Sequence, residues 1–304
     1  MSRTNRRYDQ PMRYGICLPN FTDLASREAI EAAADVADRL GWEAVWTTDH
    51  VLVDRSERSA EYRINYDAIQ TLTWVGARYP NLRLGTSVIV VPQRSAVILA
   101  KELATLDSLS GGRVLAGVGV GWNQTEFANL GAADRFHERG AYLNETIELW
   151  RHLWSGSTEP FVRRFHELED FVFNPLPAQG ASLPILVGGR AEAALQRAGR
   201  LGDGYHSSAI GAEKYAAFVP VIRAAAEAAG RPMPTLSARA RVHNGPTNDR
   251  SYILRGTPEE VAKEIRAFEK LGVEHLALAF PAPTPDAMVL AAERFAEEAA
   301  LLVD

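Results

Sequence analysis

Eight times along this chain an apolar, β-rich run of four to nine residues is followed by a longer segment of helical period. No other feature restricts the fold as much. The pairs are 14–19 with 26–40, 43–47 with 66–78, 83–91 with 95–109 and 113–118 with 139–154. They continue as 184–187 with 191–201, 204–207 with 213–229, 235–242 with 258–271 and 274–280 with 285–301. Ser26 stands where an N-cap is expected, and Gly41 and Gly111-Gly112 stand where helices stop. Alternating β and α units imply a parallel sheet covered by helices. Eight of them in 304 residues fit an α/β fold of the closed (β/α)8 TIM-barrel kind, with insertions in the βα loops. An open doubly wound sheet is the competing architecture. It would carry glycines on its first βα turn, where this chain reads Pro19-Asn20-Phe21-Thr22. Residues 1–12 read as a polar, disordered tail and 13–304 as one domain.

Composition removes several classes of function. Lys and Arg number 33 against 38 Asp and Glu, a net charge of −5, so the basic stripe of a nucleic-acid binder is missing. The one cysteine, Cys17, excludes an internal disulfide and a cysteine-rich metal site, and it sits in a run that reads as core. No apolar run reaches the roughly 18 residues of a membrane span, and no apolar stretch follows Arg3, Arg6 and Arg7 as in a signal peptide. A cytoplasmic protein without a membrane or nucleic-acid partner is expected. The seven histidines show no His-x-His or His-Glu-x-x-His spacing, so no metal site is expected. Nucleophile elbows and Walker loops are missing too, which leaves a barrel that borrows its chemistry from an organic cofactor.

In a barrel that chemistry gathers where strands end. The connections 49–65, 119–138 and 243–257 are long enough to serve as lids or binding loops. Residues 156–183 follow a helix instead, and their pattern Phe161, Phe165, Phe171-Val172-Phe173 with Pro175 and Pro177 suggests a small hairpin and a docking strap. Asp49-His50 leaves the second strand, where His50 can move a proton near neutral pH or can simply be a loop histidine satisfied by Asp49. Gly117-Val-Gly-Val-Gly121-Trp122 lacks the third glycine of a dinucleotide fingerprint, because Trp122 occupies that place. It is either a ring-binding exit or a flexible loop with a half-buried tryptophan. Gly188-Gly189-Arg190 opens a helix, which gives free amides and a cation for a phosphate, or else an ordinary connection. Ser237, Arg239 and Arg241 alternate along the seventh strand, so two cations share one face. They need an acidic ligand or a carboxylate such as Asp203.

Taken together and in order, five segments resemble the luciferase-like monooxygenase superfamily. They are Leu84-Gly-Thr-Ser-Val-Ile-Val-Val-Pro92, Leu99-Ala-Lys-Glu-Leu-Ala-Thr-Leu-Asp-Ser-Leu-Ser-Gly-Gly-Arg113, Gly117-Val-Gly-Val-Gly-Trp122, Ile185-Leu-Val-Gly-Gly189 and Gly202-Asp-Gly-Tyr205. The resemblance spans residues 13–280 and is densest over 82–154. It implies a TIM barrel that binds coenzyme F420 (a deazaflavin) or flavin mononucleotide, FMN. Asp49-His50 would flank the reactive ring, with His50 as proton donor, and Ser87-Val88 would form a cis-peptide bulge behind it. Val120, Trp122 and Thr125 would touch the ring and ribityl chain, and Gly188, Gly189 and Arg190 the phosphate. Asn20, Tyr62, Arg239 and Arg241 are the candidates for substrate contact. The resemblance favours an F420-dependent oxidoreductase that transfers hydride to or from a small organic molecule. The alternatives are an FMN monooxygenase fed by a partner reductase, or a non-catalytic flavin-binding subunit. A homodimer, with a flavin or F420 reductase as a further partner, is expected from the resemblance alone. Val51-Leu52-Val53-Asp54 lacks the tryptophan that follows Asp-His in the sugar-phosphate dehydrogenases of the group, so that substrate is not carried over.

Overall fold

The computed structural model describes residues 12–303. The expected tail therefore lies outside the described residues except for Met12, which is buried in the core. Eight parallel strands form a ring in chain order: Arg13–Cys17, Ala44–Thr47, Arg83–Thr86, Val114–Gly119, Ile185–Gly188, Gly204–Ser208, Thr235–Asn244 and Val273–Ala279. The last pairs with the first, Arg13 facing His275, and the sixth pairs with the seventh, so the sheet has no edge. The barrel reading holds and the open sheet is excluded.

Local chemistry sets the elements. The helices Arg27–Arg39, Ala96–Ser110 and Pro285–Arg294 start on side-chain caps from Ser26, Ser95 and Thr284. Helix Pro258–Lys270 starts on a full capping box of Thr257 and Glu260. The helix expected over 213–229 is divided into Ala212–Ala216 and Phe218–Ala228. Pro220 explains the break, because its ring has no N–H and crowds the carbonyl four residues back. The hairpin expected in 156–183 is present as Phe161–Val162 against Glu167–Leu168. The third strand, read as continuous over 83–91, stops at Thr86 and resumes at Ile89–Val90 after a cis Ser87–Val88 peptide.

The middle of the bore is packed. Trp46 fills it because its neighbours have no side chain: a Cβ on Gly85 would lie 2.3 Å from the indole, and one on Gly15 would lie 2.8 Å from Nε1. The indole stacks on His206 with centroids 4.7 Å apart and donates to His275 Nε2 at 3.0 Å. His206 bridges the Ser87 and Ser237 hydroxyls at 2.9 and 2.8 Å. At the N-terminal rim Glu43 takes His275 at 2.7 Å and Arg13 at 2.7 Å. Burial works against the Glu43 carboxylate, yet its bond to His275, with the charges of His275, Arg13 and Arg83, brings it down to about 2. Among the described residues no helix is long and apolar enough to cross a membrane.

Burial first, then repulsion from His275 and Arg239, hold His206 down to about 3. The folded state thus keeps this ring neutral, while the unfolded chain protonates it near 6.5. Stability should be complete above that pH and fall as pH drops through it, with a slope approaching about 1.4 kcal/mol per pH unit from His206. Urea unfolding between pH 6.5 and 5 should show this slope on top of that from His275, which burial also lowers, and His206→Asn should remove the His206 share.

Candidate active site

One buried carboxylate organises the mouth of the barrel. Glu126 has no exposed surface, although it lies on the short helix Gln124–Asn129 that follows the fourth strand. Asn123 caps that helix through the Glu126 amide. The Glu126 carboxylate accepts from the Val51 and Leu52 amides at 2.7 and 3.2 Å and from Gln93 Nε2 at 3.1 Å. Its fourth contact is His50 Nδ1 at 2.8 Å. Burial pushes the carboxyl up, but the hydrogen bonds from His50 and Val51, the His50 charge and Gln93 outweigh it and hold the group below its ordinary value. An ionised carboxylate only accepts, so Nδ1 carries the hydrogen and Nε2 is left free. No group among the described residues hydrogen-bonds to Nε2. The ring itself packs against Tyr62, centroids 4.2 Å apart, and edge-on to Trp122 at 5.8 Å.

Beside this pair the glycines of two separate motifs form a single floor. A Cβ on Gly117 would collide with the Thr86 carbonyl at 1.8 Å, one on Gly119 with Val88 Cγ2 at 2.7 Å, and one on Gly188 would meet Val88 Cγ1 at 3.0 Å. The bulge at Ser87–Val88 sits where it does because the fourth and fifth strands have no side chains there. Val88 is only partly buried and so presents a flat apolar patch to the mouth. Further along, Gly189 takes φ 121°, which favours glycine, and its carbonyl accepts from Tyr205 at 2.8 Å. The helix Glu192–Leu201 then begins without a side-chain cap, and exposed Arg190 forms no ion pair among the described residues. Free amides at a helix start favour an anion.

The remaining expected residues divide into those that line the mouth and those that build it. Asp49 is 2% exposed; it accepts from the Val90 amide at 2.9 Å and pairs with Arg94 at 2.6 Å. Its partner is therefore Arg94, and the expected Asp49–His50 contact is replaced by Glu126. Asn20 has no exposed surface and spends its amide on Thr48 (both N–H and carbonyl), Asn65 and Tyr66. It clamps the first strand to the loop 49–65 and has no group left for a substrate. Tyr62 stacks on Phe21, and burial with the Glu61 charge pushes its phenol up to about 12, so it remains a donor. Trp122 is partly buried under the Arg58 guanidinium, 4.1 Å above its ring. Val120 is partly buried and Thr125 exposed. Arg239 and Arg241 both face the mouth, but Asp203 does not meet them. It lies at the opposite end, paired with Arg151 and Arg231. Glu61 takes Arg241 instead, at 2.6 Å. Sequence reasoning missed Glu126, Gln93 and Arg94; the only local signal was the Asn-x-x-Glu spacing from Asn123 to Glu126, which reads as a cap.

A family model described as luciferase-like monooxygenase matches residues 12–252. An F420-dependent glucose-6-phosphate dehydrogenase of Mycolicibacterium fortuitum is 35% identical over 213 residues, which are 68% of this chain and 61% of that relative. The chain thus spans about three-fifths of the relative's length. An F420-dependent secondary alcohol dehydrogenase, solved with an F420–acetone adduct, superposes with a TM-score of 0.80 at 18% identity over 95% of this chain and 98% of its own. The FMN-bound oxygenating constituent of 3,6-diketocamphane monooxygenase from Pseudomonas putida gives 0.79 at 13% identity, over 97% and 99%. At these identities the two structures share the fold.

Replacing Glu126 by Ala removes the acceptor of two partly buried amides, of Gln93 and of His50. Urea unfolding should show a loss of about 2–4 kcal/mol, and the Val51 and Leu52 amides should exchange faster. Glu126→Gln, whose carbonyl still accepts, should lose less than half of that. An Ala variant as stable as the parent would mean that these contacts are incidental.

Proposed function

Because this chain belongs to the luciferase-like monooxygenase family, we propose that it is an oxidoreductase using coenzyme F420 to transfer hydride to or from a small organic substrate. The observation that carries this reading is the His50–Glu126 pair, set beside the flat Val88 floor at the strand ends where barrel chemistry gathers. The F420-dependent relative at 35% identity favours the deazaflavin over FMN.

The residues present fit such a group. The patch of Val88 over Gly117, Gly119 and Gly188 accommodates a flat ring, and the uncapped helix start with Gly189 and Arg190 suits a phosphate. Ser87, Val120, Trp122 and Thr125 complete the wall in this reading, and Asp49 acts at one remove by fixing Arg94 and the Val90 amide. When bound, F420 supplies hydride chemistry at its deazaflavin ring. His50 does the proton work. With Nδ1–H fixed on Glu126, neutral Nε2 accepts a proton from a substrate hydroxyl, or protonated Nε2 gives one to a carbonyl oxygen. Glu126 is a positioning residue: it fixes the tautomer and balances the charge that His50 gains. Tyr62 and Trp122 screen the ring from water.

This reading also takes residues 13–304 as one domain in a cytoplasmic homodimer, with a separate reductase renewing the cofactor where reduction is needed. Exposed Trp74, Ile98 and Leu109 on two neighbouring helices support the pairing of copies.

Titration of the purified protein with each cofactor tests the choice between them. F420 should bind at least about tenfold more tightly than FMN, and turnover should consume no oxygen. FMN binding with oxygen uptake would move the protein to the monooxygenase class. His50→Ala should slow turnover by about 10²–10⁴-fold with F420 affinity kept. Unchanged turnover would remove His50 from the chemistry.

A further inference from the structure

Arg239 stands at the barrel mouth without a counter-ion among the described residues. Its Nη1 donates to Thr48 Oγ1 at 2.8 Å and to the Ser87 carbonyl at 3.2 Å, and its guanidinium lies 5.3 Å from the centre of the Phe21 ring. These partners are neutral, as is the Cys17 thiol that also faces the guanidinium, and no carboxylate among the described residues is within ion-pair distance. A guanidinium offers five N–H donors in a fixed fork, so most of this one remains unused. A partly buried cation held only by neutral groups favours an anion. Two residues on, Arg241 is matched by Glu61 alone, with the two side chains 35% and 40% exposed. An exposed pair of that kind contributes little and exchanges readily for another anion.

Both arginines and Phe21 border two neighbouring cavities. The larger, about 360 Å³, is walled by Leu18, Phe280, Pro281 and Met288. The smaller, about 170 Å³, reaches Tyr62, whose ring also packs on His50. A molecule anchored on Arg239 therefore has an apolar space on one side and, across Tyr62, the free Nε2 of His50 on the other. We infer that Arg239, with Arg241 beside it, forms a carboxylate subsite and that the substrate is an organic acid with an apolar body. The carboxylate takes the guanidinium fork and the body fills the larger cavity. A sugar phosphate matches less well, because beyond Thr22 and Asp23 at the edge of the larger cavity its hydroxyls would meet mainly Leu18, Phe280, Pro281 and Met288. That the organic acid is the substrate rests on the proposed hydride-transfer reading; the anion subsite does not.

Calorimetric titration of the F420-loaded protein and of the protein alone with octanoate, octanamide and glucose 6-phosphate tests the assignment. Octanoate should bind at least about tenfold more tightly than either of the others. Arg239→Gln should cost octanoate about 10–100-fold and leave octanamide and F420 unaffected. Arg239→Lys, which keeps the charge and the fold, should recover part of the loss. Octanoate affinity unchanged in Arg239→Gln, or tighter binding of glucose 6-phosphate than of octanoate, would overturn the subsite. So would a fall in F420 affinity in Arg239→Gln, since the arginine would then serve the cofactor. If F420 fails to bind the parent protein while octanoate still depends on Arg239, the subsite stands and the cofactor reading falls.

Discussion

The mouth of this barrel depends on one carboxylate with no access to water. Glu126 gathers the loops that follow the second, third and fourth strands by accepting from Val51, Leu52, Gln93 and His50 at once. A buried carboxylate is tolerable only when its lone pairs are used, and four donors supply that here. The same four bonds give His50 its tautomer and its direction. The residue best suited to moving a proton is therefore oriented by a group 76 positions away in sequence.

The glycines carry a comparable coupling. Gly117, Gly119 and Gly188 read singly as loop flexibility or exposed amides, but in space they share the task of making room for Thr86 and Val88. Their absent side chains place the Ser87–Val88 bulge, and the bulge presents Val88 to the mouth. Gly85 and Gly15 do the same work lower down, admitting the Trp46 indole that closes the bore. Close packing leaves no alternative position for these groups, because a methyl at any of the five would meet a neighbour at 3.0 Å or less. The floor and the Trp46 plug separate the mouth from a cavity of about 270 Å³ at the N-terminal end, which Arg13, Glu43 and His275 line.

The legible parts of the fold were those written locally. Strand and helix periods, the cap at Ser26 and the helix stops at Gly41 and Gly111 each reside within a few residues, and the eight-unit order followed from them. His50, Tyr62, Arg239 and Arg241 were legible as residues of the mouth because strand ends and the two-residue alternation place them there. Their partners were not. Glu126 meets His50, Arg94 meets Asp49 and Glu61 meets Arg241 across 76, 45 and 180 positions, and no local pattern encodes such pairings. Asp203 was offered to the arginines for want of a register, and the barrel sends it to the other end. The segment of densest resemblance had a different reason to stand out. Asp107 accepts from Val114 and Gln179, and Arg113 donates to Gly76 and Tyr79, ties that hold the N-terminal end together.

The two ends of the bore treat charge differently, and the difference separates stability from function. At the N-terminal rim Glu43 is matched by Arg13, Arg83 and His275, Glu274 by Arg13, and Asp203 by Arg151 and Arg231. At the mouth Asp49 and Asp67 share Arg94, and Glu126 takes His50. Each of these sets places opposite or complementary groups within the protein, and each fixes backbone or a ring that other groups depend on. Arg113 and Arg197 also lie outside these sets, but Arg113 spends its donors on four carbonyls and Arg197 on Asn144 and Gly140. Arg239, by contrast, uses one nitrogen on Thr48 and Ser87 and borders a cavity. Its strand neighbours and hydroxyl contacts hold the guanidinium in place without neutralising it, at a cost in desolvation that a purely structural residue could avoid with a neutral side chain. A cation kept partly buried beside a cavity, with donors that no carbonyl or carboxylate among the described residues takes, is best explained by a ligand that brings the missing charge.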